Sequence, residues 1–236
     1  MYQNLFLDIK KMKMHVWDDQ KGHLEVPFRK YAYVKDGNGQ HVSLYGDRLK
    51  KVTNYDKDDP TLHESDVPPT TRFLVDNYGD SDEMSVGHRI MFFDIEVEVT
   101  DGFPDVQKAQ NVITSIALYD CITEKYFTYC FDPSKRIESY AKDDEVVEFY
   151  DTEYEMLNKF FQKYLEIRPT IVSGWNSEFF DIPYLYNRAV RVLGPEVANL
   201  LSPISQVLYS EYKKKHTIAG VSSLDYLQLY RQFTFG

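Results

Sequence analysis

Hydrophobic and polar residues alternate with a period of two along residues 89–99, which read RIMFFDIEVEV. Successive side chains of a β-strand point to opposite faces, so the alternation predicts a strand with one apolar face. The opposite face carries three carboxylates, on Asp94, Glu96 and Glu98. Neither lysine nor arginine lies between them, so this face either contacts water or receives a positive charge from elsewhere.

Two further β-prone stretches, NVITSIALYD and KYFTYCF, flank a short turn at 122–124. Three strands that follow one another in this way predict an antiparallel meander. A helix is then predicted to begin at Asp151 or Thr152, with Glu155 completing a capping box, and to end before Pro169. Its expected apolar stripe consists of Leu157, Phe160, Phe161, Tyr164 and Leu165.

The stretch TIVSGWN predicts a short buried strand, and the spacing of apolar residues predicts a second helix from about Ile182 to Leu193. The resulting order, β-β-β-α-β-α, is that of the ribonuclease-H-like fold. In that fold a central strand carries the first carboxylates, and the later strand lies parallel beside it. We therefore expect an α/β (α+β) domain of this type over residues 89–236.

Residues 1–88 contain short β-prone segments separated by turns, which predicts a small β-rich domain and a boundary near residue 88. KDGNGQ at 35–40 is typical of a hairpin turn, because glycine and asparagine adopt the positive φ that a tight turn needs. The acidic, proline-containing segment 56–70 suits an extended surface connection. TRFLVDNYGD predicts a short helix that ends near Gly79.

The chain of 236 residues carries 27 basic and 37 acidic residues, which gives a net charge of −10. This balance argues against general attraction to phosphate backbones, but a metal-dependent nuclease also concentrates carboxylates at its site. The two cysteines have neither metal-ligand spacing nor a disulfide framework, which indicates a reducing cytoplasm. No membrane partner is expected, because charges interrupt the N-terminal segment early and no apolar run reaches the roughly 20 residues that cross a bilayer.

The carboxylates of Asp94 and Glu96 have two interpretations. An amphipathic strand with a wet acidic face is common in antiparallel sheets. Alternatively, carboxylates at positions i and i+2 project side by side, where they can share a divalent cation that prefers oxygen ligands. Glu98 lies towards the end of the strand and has the weaker claim to such a site.

Asp181 also has two interpretations. It lies where the N-cap of the second helix belongs, with Pro183 in the first turn. The same position joins a buried strand to a helix, where open sheets place active-site groups. An acidic side chain at this junction can meet Asp94 across the sheet.

Aromatic and basic residues provide further candidates. Phe103, in the turn after the acidic strand, is either an exposed turn residue or a surface on which a nucleotide base stacks. The basic cluster EYKKKHT at 211–217 is either the solvated tip of a hairpin or a phosphate contact. Four other aromatic residues are expected in the core: Phe160, Phe161, Tyr164 and Tyr186.

A family resemblance rests on three stretches, FFDIEVEVTDGFPD, TIVSGWNSEFFDIPYLYNR and SSLDYLQLYRQFTF. Together they resemble the proofreading exonuclease domain of family B DNA polymerases, and they are similar to the replicative polymerases of T-even-type tailed bacteriophages. SLYGDRLKKV and HESDVPPTTRFLVDNYG resemble the N-terminal domain of the same family, so the resemblance covers nearly the whole chain. The exonuclease motifs are specific as a pair, because they occur in the family's order and separation.

The resemblance implies roles for individual residues. The family's first exonuclease motif, Asp-x-Glu, matches Asp94 and Glu96, and its second matches Asn176, Phe180 and Asp181. By implication the three carboxylates hold two divalent ions, Mg²⁺ or Mn²⁺, and direct water onto the terminal phosphodiester of single-stranded or frayed DNA. Asp181 is implied to anchor a metal, and Asn176 to position the strand or the carboxylate.

Segment 205–222 resembles the hairpin with which these polymerases move a primer end between sites, which favours a DNA contact for Lys213, Lys214 and Lys215. Base stacking on Phe103 fits the same function. The implied partners are DNA, downstream polymerase polypeptide and, through the full enzyme, a sliding clamp. The implied location is the cytoplasm of an infected bacterial host.

The family's third exonuclease motif, Tyr-x-x-x-Asp, has no match downstream of Asp181, and the palm motifs of the polymerase are also unmatched. We therefore expect the N-terminal part of a polymerase, or one subunit of a split gene product, with little exonuclease activity by itself. One alternative is a non-catalytic DNA-binding and assembly module that needs the downstream chain. Another is a stand-alone ribonuclease-H-like nuclease with an unrelated partner domain.

Overall fold

The computed structural model describes residues 1–100 and 102–234. Asp101, in the predicted DGFPD turn, and the last two residues of the predicted second domain lie outside the described residues. The chain divides into two compact units, Met1–Val86 and Gly87–Gly236. Each unit has a hydrophobic core of its own.

The first unit contains two three-stranded antiparallel sheets and one helix, and its core includes Met14, Val16 and Phe73. The strands are β1 (Tyr2–Asp8), β2 (Lys13–Asp18), β3 (Gly22–Pro27), β4 (Ala32–Lys35), β5 (His41–Val42) and β6 (Arg48–Val52). The helix α1 (Pro69–Tyr78) ends at Gly79, as the sequence predicts.

The hairpin predicted from KDGNGQ is wrong. A turn does form, in which the Gly39 N–H donates to the Asp36 carbonyl at 2.8 Å, but the strands on either side do not pair with each other. Both pair with β6, in the order β4-β6-β5. A Cβ at Gly39 would lie 2.3 Å from the Leu49 carbonyl, so glycine lets this segment cross close to the β6 backbone.

The second unit is built on a seven-stranded sheet with the order β10-β11-β9-β8-β7-β12-β15. The strands are β7 (Ile90–Val97), β8 (Ile113–Asp120), β9 (Lys125–Phe131), β10 (Tyr140–Lys142), β11 (Glu145–Tyr150), β12 (Ile171–Gly174), β13 (Val207–Ser210), β14 (Lys215–Ile218) and β15 (Ser222–Asp225). The helices are α2 (Glu153–Ile167), α3 (Asp181–Val192), α4 (Pro195–Ala198) and α5 (Tyr226–Thr234).

The predicted meander and the predicted parallel return are both confirmed. β7, β8 and β9 pair antiparallel in sequence, and β12 lies parallel beside β7. β12 also pairs in parallel with β15, while β13 and β14 form a separate hairpin. The sequence did not predict β10 and β11, which add to the far edge of the sheet.

The predicted N-cap of α2 is confirmed, but the Glu155 carboxylate accepts from the Thr152 hydroxyl rather than from its backbone N–H, so the reciprocal bond of a capping box is not formed. Thr152 is the N-cap, and its hydroxyl oxygen accepts a hydrogen bond from the Glu155 N–H at 3.2 Å. The helix ends where Arg168 adopts a left-handed φ of 50°. Leu165 was expected in the apolar stripe but is 42% exposed, because the buried face of the helix continues from Phe160 and Tyr164 to Ile167 and does not include this position.

The core of the second unit lies between one face of the sheet and helices α2 and α3. Phe160, Phe161 and Tyr164 are buried there, and Tyr186 is half-buried against the same cluster. On β7 the apolar residues Met91, Phe93 and Ile95 face this core, so the predicted alternation is confirmed. No helix in the described part of the chain is long and apolar enough to cross a bilayer.

Candidate active site

Asp94 and Glu96 lie side by side on the face of β7 that is turned away from the core. Their neighbours on β8 are small: Asp94 pairs with Ala117 and Glu96 with Ser115. Small neighbours leave both carboxylates accessible from outside. Glu98 follows the end of the strand, and its backbone N–H donates to the Val112 carbonyl at 2.9 Å.

Asp181 does not cap α3. Phe180 is the N-cap and makes no side-chain capping bond, whereas Asp181 is the first helical residue. Its carboxylate reaches the neighbouring strand instead, where Oδ1 accepts a hydrogen bond from the Ile95 N–H at 3.1 Å. The pairing of β12 with β7 reaches only as far as Phe92, so a side chain from the helix supplies the acceptor that the shorter strand does not.

Burial makes the carboxyl of Asp181 an unusually weak acid. The residue is 3% exposed, and the loss of hydration raises the pKa of its carboxyl to about 7. The Ile95 N–H opposes this shift by stabilising the charged form, and the negative charges of Asp94 and Asp225 reinforce it. Partial loss of hydration beside the surrounding protein atoms also raises the pKa of Asp94, although its side chain remains accessible. It is therefore costly to ionise the carboxyls of Asp94 and Asp181 together.

Within residues 1–100 and 102–234, Asp94, Glu96 and Asp181 form no ion pair that would relieve this repulsion. Over the same residues, no three His, Cys, Asp or Glu side chains are grouped so that they could hold a metal ion as they stand. The donors that are present are carboxylate oxygens, which Mg²⁺ and Mn²⁺ prefer, so their chemistry fits a divalent metal.

Residues 175–180 form the turn between β12 and α3, which we call the motif-two turn. Asn176 adopts a left-handed φ of 61°, a conformation that asparagine tolerates better than most residues. Its carbonyl accepts hydrogen bonds from the N–H groups of Phe179 and Phe180, at 3.1 and 3.0 Å. Asn176 therefore sets the path of the chain into the helix that carries Asp181.

The aromatic candidates Phe103 and Phe180 lie together. Their ring centroids are 5.3 Å apart, and Phe180 in turn lies 5.6 Å from Tyr184. Phe103 is 81% exposed, so one end of this aromatic row is open to a ligand. Because Phe180 immediately precedes Asp181, the middle ring of the row is adjacent in sequence to the buried carboxylate.

The three lysines of the hairpin have different surroundings. Lys213 and Lys214 are exposed in the turn between β13 and β14. Lys215 is half-buried, and its ammonium group donates to Glu178 Oε2 at 2.9 Å. The structure therefore brings Lys215 to the motif-two turn and leaves the other two lysines at the hairpin tip.

Asp225 is a further buried carboxylate, which was not predicted from the sequence. It is 3% exposed at the end of β15, and it accepts hydrogen bonds from the backbone of Asn176 and Glu178 at 3.0 and 3.2 Å. The available signal was an acidic residue at the end of a β-prone segment, SSLD, because parallel strands bring such ends together.

Several DNA polymerases are similar to part of the chain. The DNA-directed DNA polymerase of Escherichia phage RB69 is 32% identical over 176 residues, which cover 62% of this chain and 19% of the phage protein. The corresponding polymerase of Enterobacteria phage T4 is 32% identical over 168 residues, covering 59% of this chain and 19% of that protein. DNA polymerase 1 of Saccharolobus solfataricus is 32% identical over 145 residues, which cover 56% and 16% of the two chains.

The matched part thus spans about a fifth of the length of the phage polymerases. Residues 80–235 match the family described as DNA polymerase family B, exonuclease domain. Such domains have a ribonuclease-H-like fold and generally use divalent metals, in agreement with the sheet order and with the carboxylate donors. Since this match covers more than half of the sequence, the chain belongs to DNA polymerase family B and contains its exonuclease domain.

Proposed function

We propose that this chain contributes the 3′–5′ proofreading exonuclease site of a viral family B DNA polymerase. The site removes mismatched nucleotides from a single-stranded or frayed 3′ end during DNA replication. The observation that carries the proposal is the contact between Asp181 and the Ile95 N–H, which brings a carboxylate from the second motif next to Asp94 of the first. The family membership and the phage relatives support the same function.

Asp94, Glu96 and Asp181 are the proposed catalytic residues, and they would also hold two divalent ions, Mg²⁺ or Mn²⁺. When bound, such ions activate water and stabilise the leaving oxygen in phosphodiester hydrolysis. The carboxylates provide oxygen ligands, and the accessible face of β7 leaves room for the 3′ end beside them. Asp181 would hold an ion only as a carboxylate, so its carboxyl, with a pKa of about 7, would have to lose its proton first.

The substrate-binding residues are proposed from the neighbouring groups. Phe103 and Phe180 offer aromatic faces for the terminal base, because stacking does not depend on base identity. Asn176 positions the strand or the adjacent carboxylate. Lys213, Lys214 and Lys215 contact the phosphate backbone, Lys215 after exchanging its partner Glu178 for a phosphate.

The wider context is part of the same proposal. The relatives are about five times longer than the region they share with this chain, so we propose that the site works together with downstream polymerase polypeptide. This polypeptide would supply the third exonuclease motif, and the chain without it would be a weak exonuclease. Through the full enzyme the site would act with a sliding clamp, in the cytoplasm of an infected bacterium.

The direct test measures release of the 3′ nucleotide from labelled single-stranded DNA in Mg²⁺ or Mn²⁺. The chain is assayed alone and with the downstream polypeptide, as wild type, as Asp94→Asn and as the control Glu98→Gln. We expect the activity of the combined proteins to disappear in Asp94→Asn and to persist in Glu98→Gln, because Glu98 is an exposed carboxylate beyond the end of the strand. Equal activity of wild type and Asp94→Asn would refute the assignment of the site.

A second candidate function is a non-catalytic DNA-binding and assembly module. The exposed Phe103 and the exposed hairpin lysines favour it, since base stacking and phosphate contacts would bind DNA without any cleavage. This function predicts that the combined proteins bind the 3′ end in Ca²⁺ but release no nucleotide in Mg²⁺ or Mn²⁺. The two functions are thus separated by the same assay.

A further inference from the structure

The motif-two turn needs an outside acceptor to hold its shape. Within residues 175–180 the Asn176 carbonyl accepts the N–H groups of Phe179 and Phe180, but the N–H groups of Asn176 and Glu178 find no acceptor in the turn. Asn176 also holds a left-handed φ of 61°. Such a conformation persists only where the surrounding structure fixes it.

Asp225 supplies that acceptor. Its Oδ1 accepts from the Asn176 N–H at 3.0 Å and its Oδ2 from the Glu178 N–H at 3.2 Å. Oδ1 also accepts from the Leu227 N–H at 2.9 Å, at the beginning of α5. The pairing of Gly174 with Asp225 in the parallel strands β12 and β15 places the carboxylate directly beside the turn.

Asp225 is not suited to bind a ligand itself. The residue is 3% exposed, and three backbone N–H groups already occupy its two oxygens. A carboxylate has about four acceptor positions, so little capacity is left for a substrate or an ion. Asp225 therefore supports the backbone of the motif-two turn and is not itself one of the ligand-binding residues.

A continuous set of hydrogen bonds connects Asp225 to the site. After Asn176 and Glu178, the Ile182 N–H donates to the Ser177 carbonyl at 2.9 Å, which joins the turn to the first turn of α3. Asp181 lies between these contacts, and its carboxylate reaches the Ile95 N–H. A shift of the turn therefore moves the carboxylate away from β7.

From these contacts we infer that Asp225 is a positioning residue of the carboxylate site. It fixes the backbone of the motif-two turn, and through the turn it holds Asn176 in its left-handed conformation and the Asp181 carboxylate against Ile95. The structural part of this inference is independent of the proposed function, whereas its effect on nucleotide release rests on that function.

The test compares Asp225→Asn with a matched control, Asp120→Asn. Asp225→Asn keeps the size of the side chain but replaces one acceptor by an NH₂ group, which cannot accept the second backbone N–H of the turn. Asp120 is likewise a buried aspartate, 5% exposed, whose Oδ1 accepts the Ile122 N–H at 3.0 Å in a turn. It pairs with Met91 near the beginning of β7, whereas Asp94 and Glu96 lie further along that strand.

The first measurement is amide hydrogen exchange at Ile95, Asn176 and Glu178 in the ¹⁵N-labelled full chain, together with global stability from urea unfolding. The Ile95 amide reports whether the Asp181 carboxylate is still in place. After correction for global stability, we expect exchange at Ile95 to be at least about tenfold faster in Asp225→Asn than in Asp120→Asn. Equal exchange at Ile95 in the two variants would overturn the inference. If Asp225→Asn does not fold, Asp225→Ser is judged by the same criterion.

The second measurement is nucleotide release with the downstream polypeptide present. We expect Asp225→Asn to lower kcat by about tenfold or more with little change in the KM for DNA, because a displaced carboxylate impairs the reaction more than it impairs binding. Asp120→Asn should retain the wild-type kcat. If wild type itself releases no nucleotide, the proposed function fails, while the exchange at Ile95 still decides whether Asp225 positions Asp181.

Discussion

The Asp181 carboxylate accepts a hydrogen bond from the Ile95 N–H at 3.1 Å, across the gap that opens where β12 ends. The acceptor for the β7 backbone thus comes from a helix side chain rather than from a neighbouring strand. The same contact places a buried carboxyl with a pKa of about 7 beside the residue that follows Asp94. The position of the Asp181 carboxyl and its pKa are therefore linked, and both can be tested.

Asp181 should make the folded protein less stable as the pH rises. The pKa of its carboxyl is about 7 in the folded state, against 3.8 without the protein environment, so between these values the unfolded chain has lost a proton that the folded chain retains. Stability from this group is then complete below about pH 4, falls up to about pH 7 and is constant above it. At about 1.4 kcal/mol per pKa unit, the loss is at most about 4 kcal/mol.

Asp181→Asn should remove this dependence and still accept the Ile95 N–H through its amide oxygen. We expect the variant to exceed wild type in stability at pH 8 and to approach it at pH 5, as measured by urea unfolding. Glu98→Gln serves as the control, because it removes an exposed carboxylate just beyond the end of β7. Wild type and Asp181→Asn with the same slope between pH 4 and 7 would contradict the assignment of this pKa.

Divalent ions should stabilise the wild type more at pH 8 than at pH 6. Ion binding requires the ionised carboxylates, so protons compete with Mg²⁺ or Mn²⁺ at Asp181 and the apparent affinity falls as the pH decreases through about 7. At an ion concentration ten times the Kd, linkage adds about 1.4 kcal/mol to the free energy of unfolding. The measurement is the shift in Tm on ion addition, with Asp94→Asn as the variant that should lose it. An equal shift in both proteins would place the ions elsewhere.

Periodicity alone located the strand that carries Asp94 and Glu96, because alternation over eight residues records which face is buried. The N-cap of α2 was equally local, since Thr152 and Glu155 are three residues apart. Such features depend on neighbours in sequence. The fold order then followed from the succession of elements.

The remaining features depend on contacts between distant residues. Asp181 was expected either to cap α3 or to lie at the site, and the structure places it one residue inside the helix, with a partner 86 positions away. Asp225 contacts Asn176 across 49 positions, and no local pattern contains that contact. The turn at KDGNGQ was predicted correctly. The pairing of β4 with β5 was not, because β6 lies between these two strands. Turn chemistry predicts a reversal of the chain and does not identify the partner strand.

Removal of one partner from the buried ion pair between Arg188 and Glu153 should destabilise the protein far more than removal of one partner from a surface pair. The guanidinium group donates to both carboxylate oxygens, at 2.8 and 2.6 Å, and also to the carbonyls of Ala109 and Gln110. Arg188→Ala leaves the Glu153 carboxylate buried without its partner, and we expect a loss of about 3–5 kcal/mol in urea unfolding. Lys108→Ala, which breaks the exposed pair with Asp105, should have little effect. Similar losses in the two variants would contradict this ranking.

Gly174→Ala should disturb the strand that carries the carboxylates. A Cβ at Gly174 would lie 2.6 Å from the Phe93 carbonyl oxygen and 3.0 Å from the Ser177 Cβ, so the backbone of β7 or the motif-two turn must move. We expect a cost of about 1–3 kcal/mol together with reduced nucleotide release, because Phe93 immediately precedes Asp94. The control is Gly37→Ala, where nothing lies within 4 Å of the added methyl group. Full activity and stability in Gly174→Ala would show that this close approach is not needed.

Phe103→Ala should separate DNA binding from stability. The ring is 81% exposed and packs against Phe180 with a centroid distance of 5.3 Å, so its removal uncovers little buried surface and should leave the free energy of unfolding nearly unchanged. Loss of one base stack should weaken binding of a single-stranded 3′ end by about 1–3 kcal/mol, measured by fluorescence anisotropy in Ca²⁺. Tyr45→Ala removes an aromatic ring that is 93% exposed in the first unit, and it should bind DNA like the wild type. Equal affinities of Phe103→Ala and Tyr45→Ala would exclude stacking on Phe103, whereas a selective loss would assign the terminal base to the aromatic row beside Asp181.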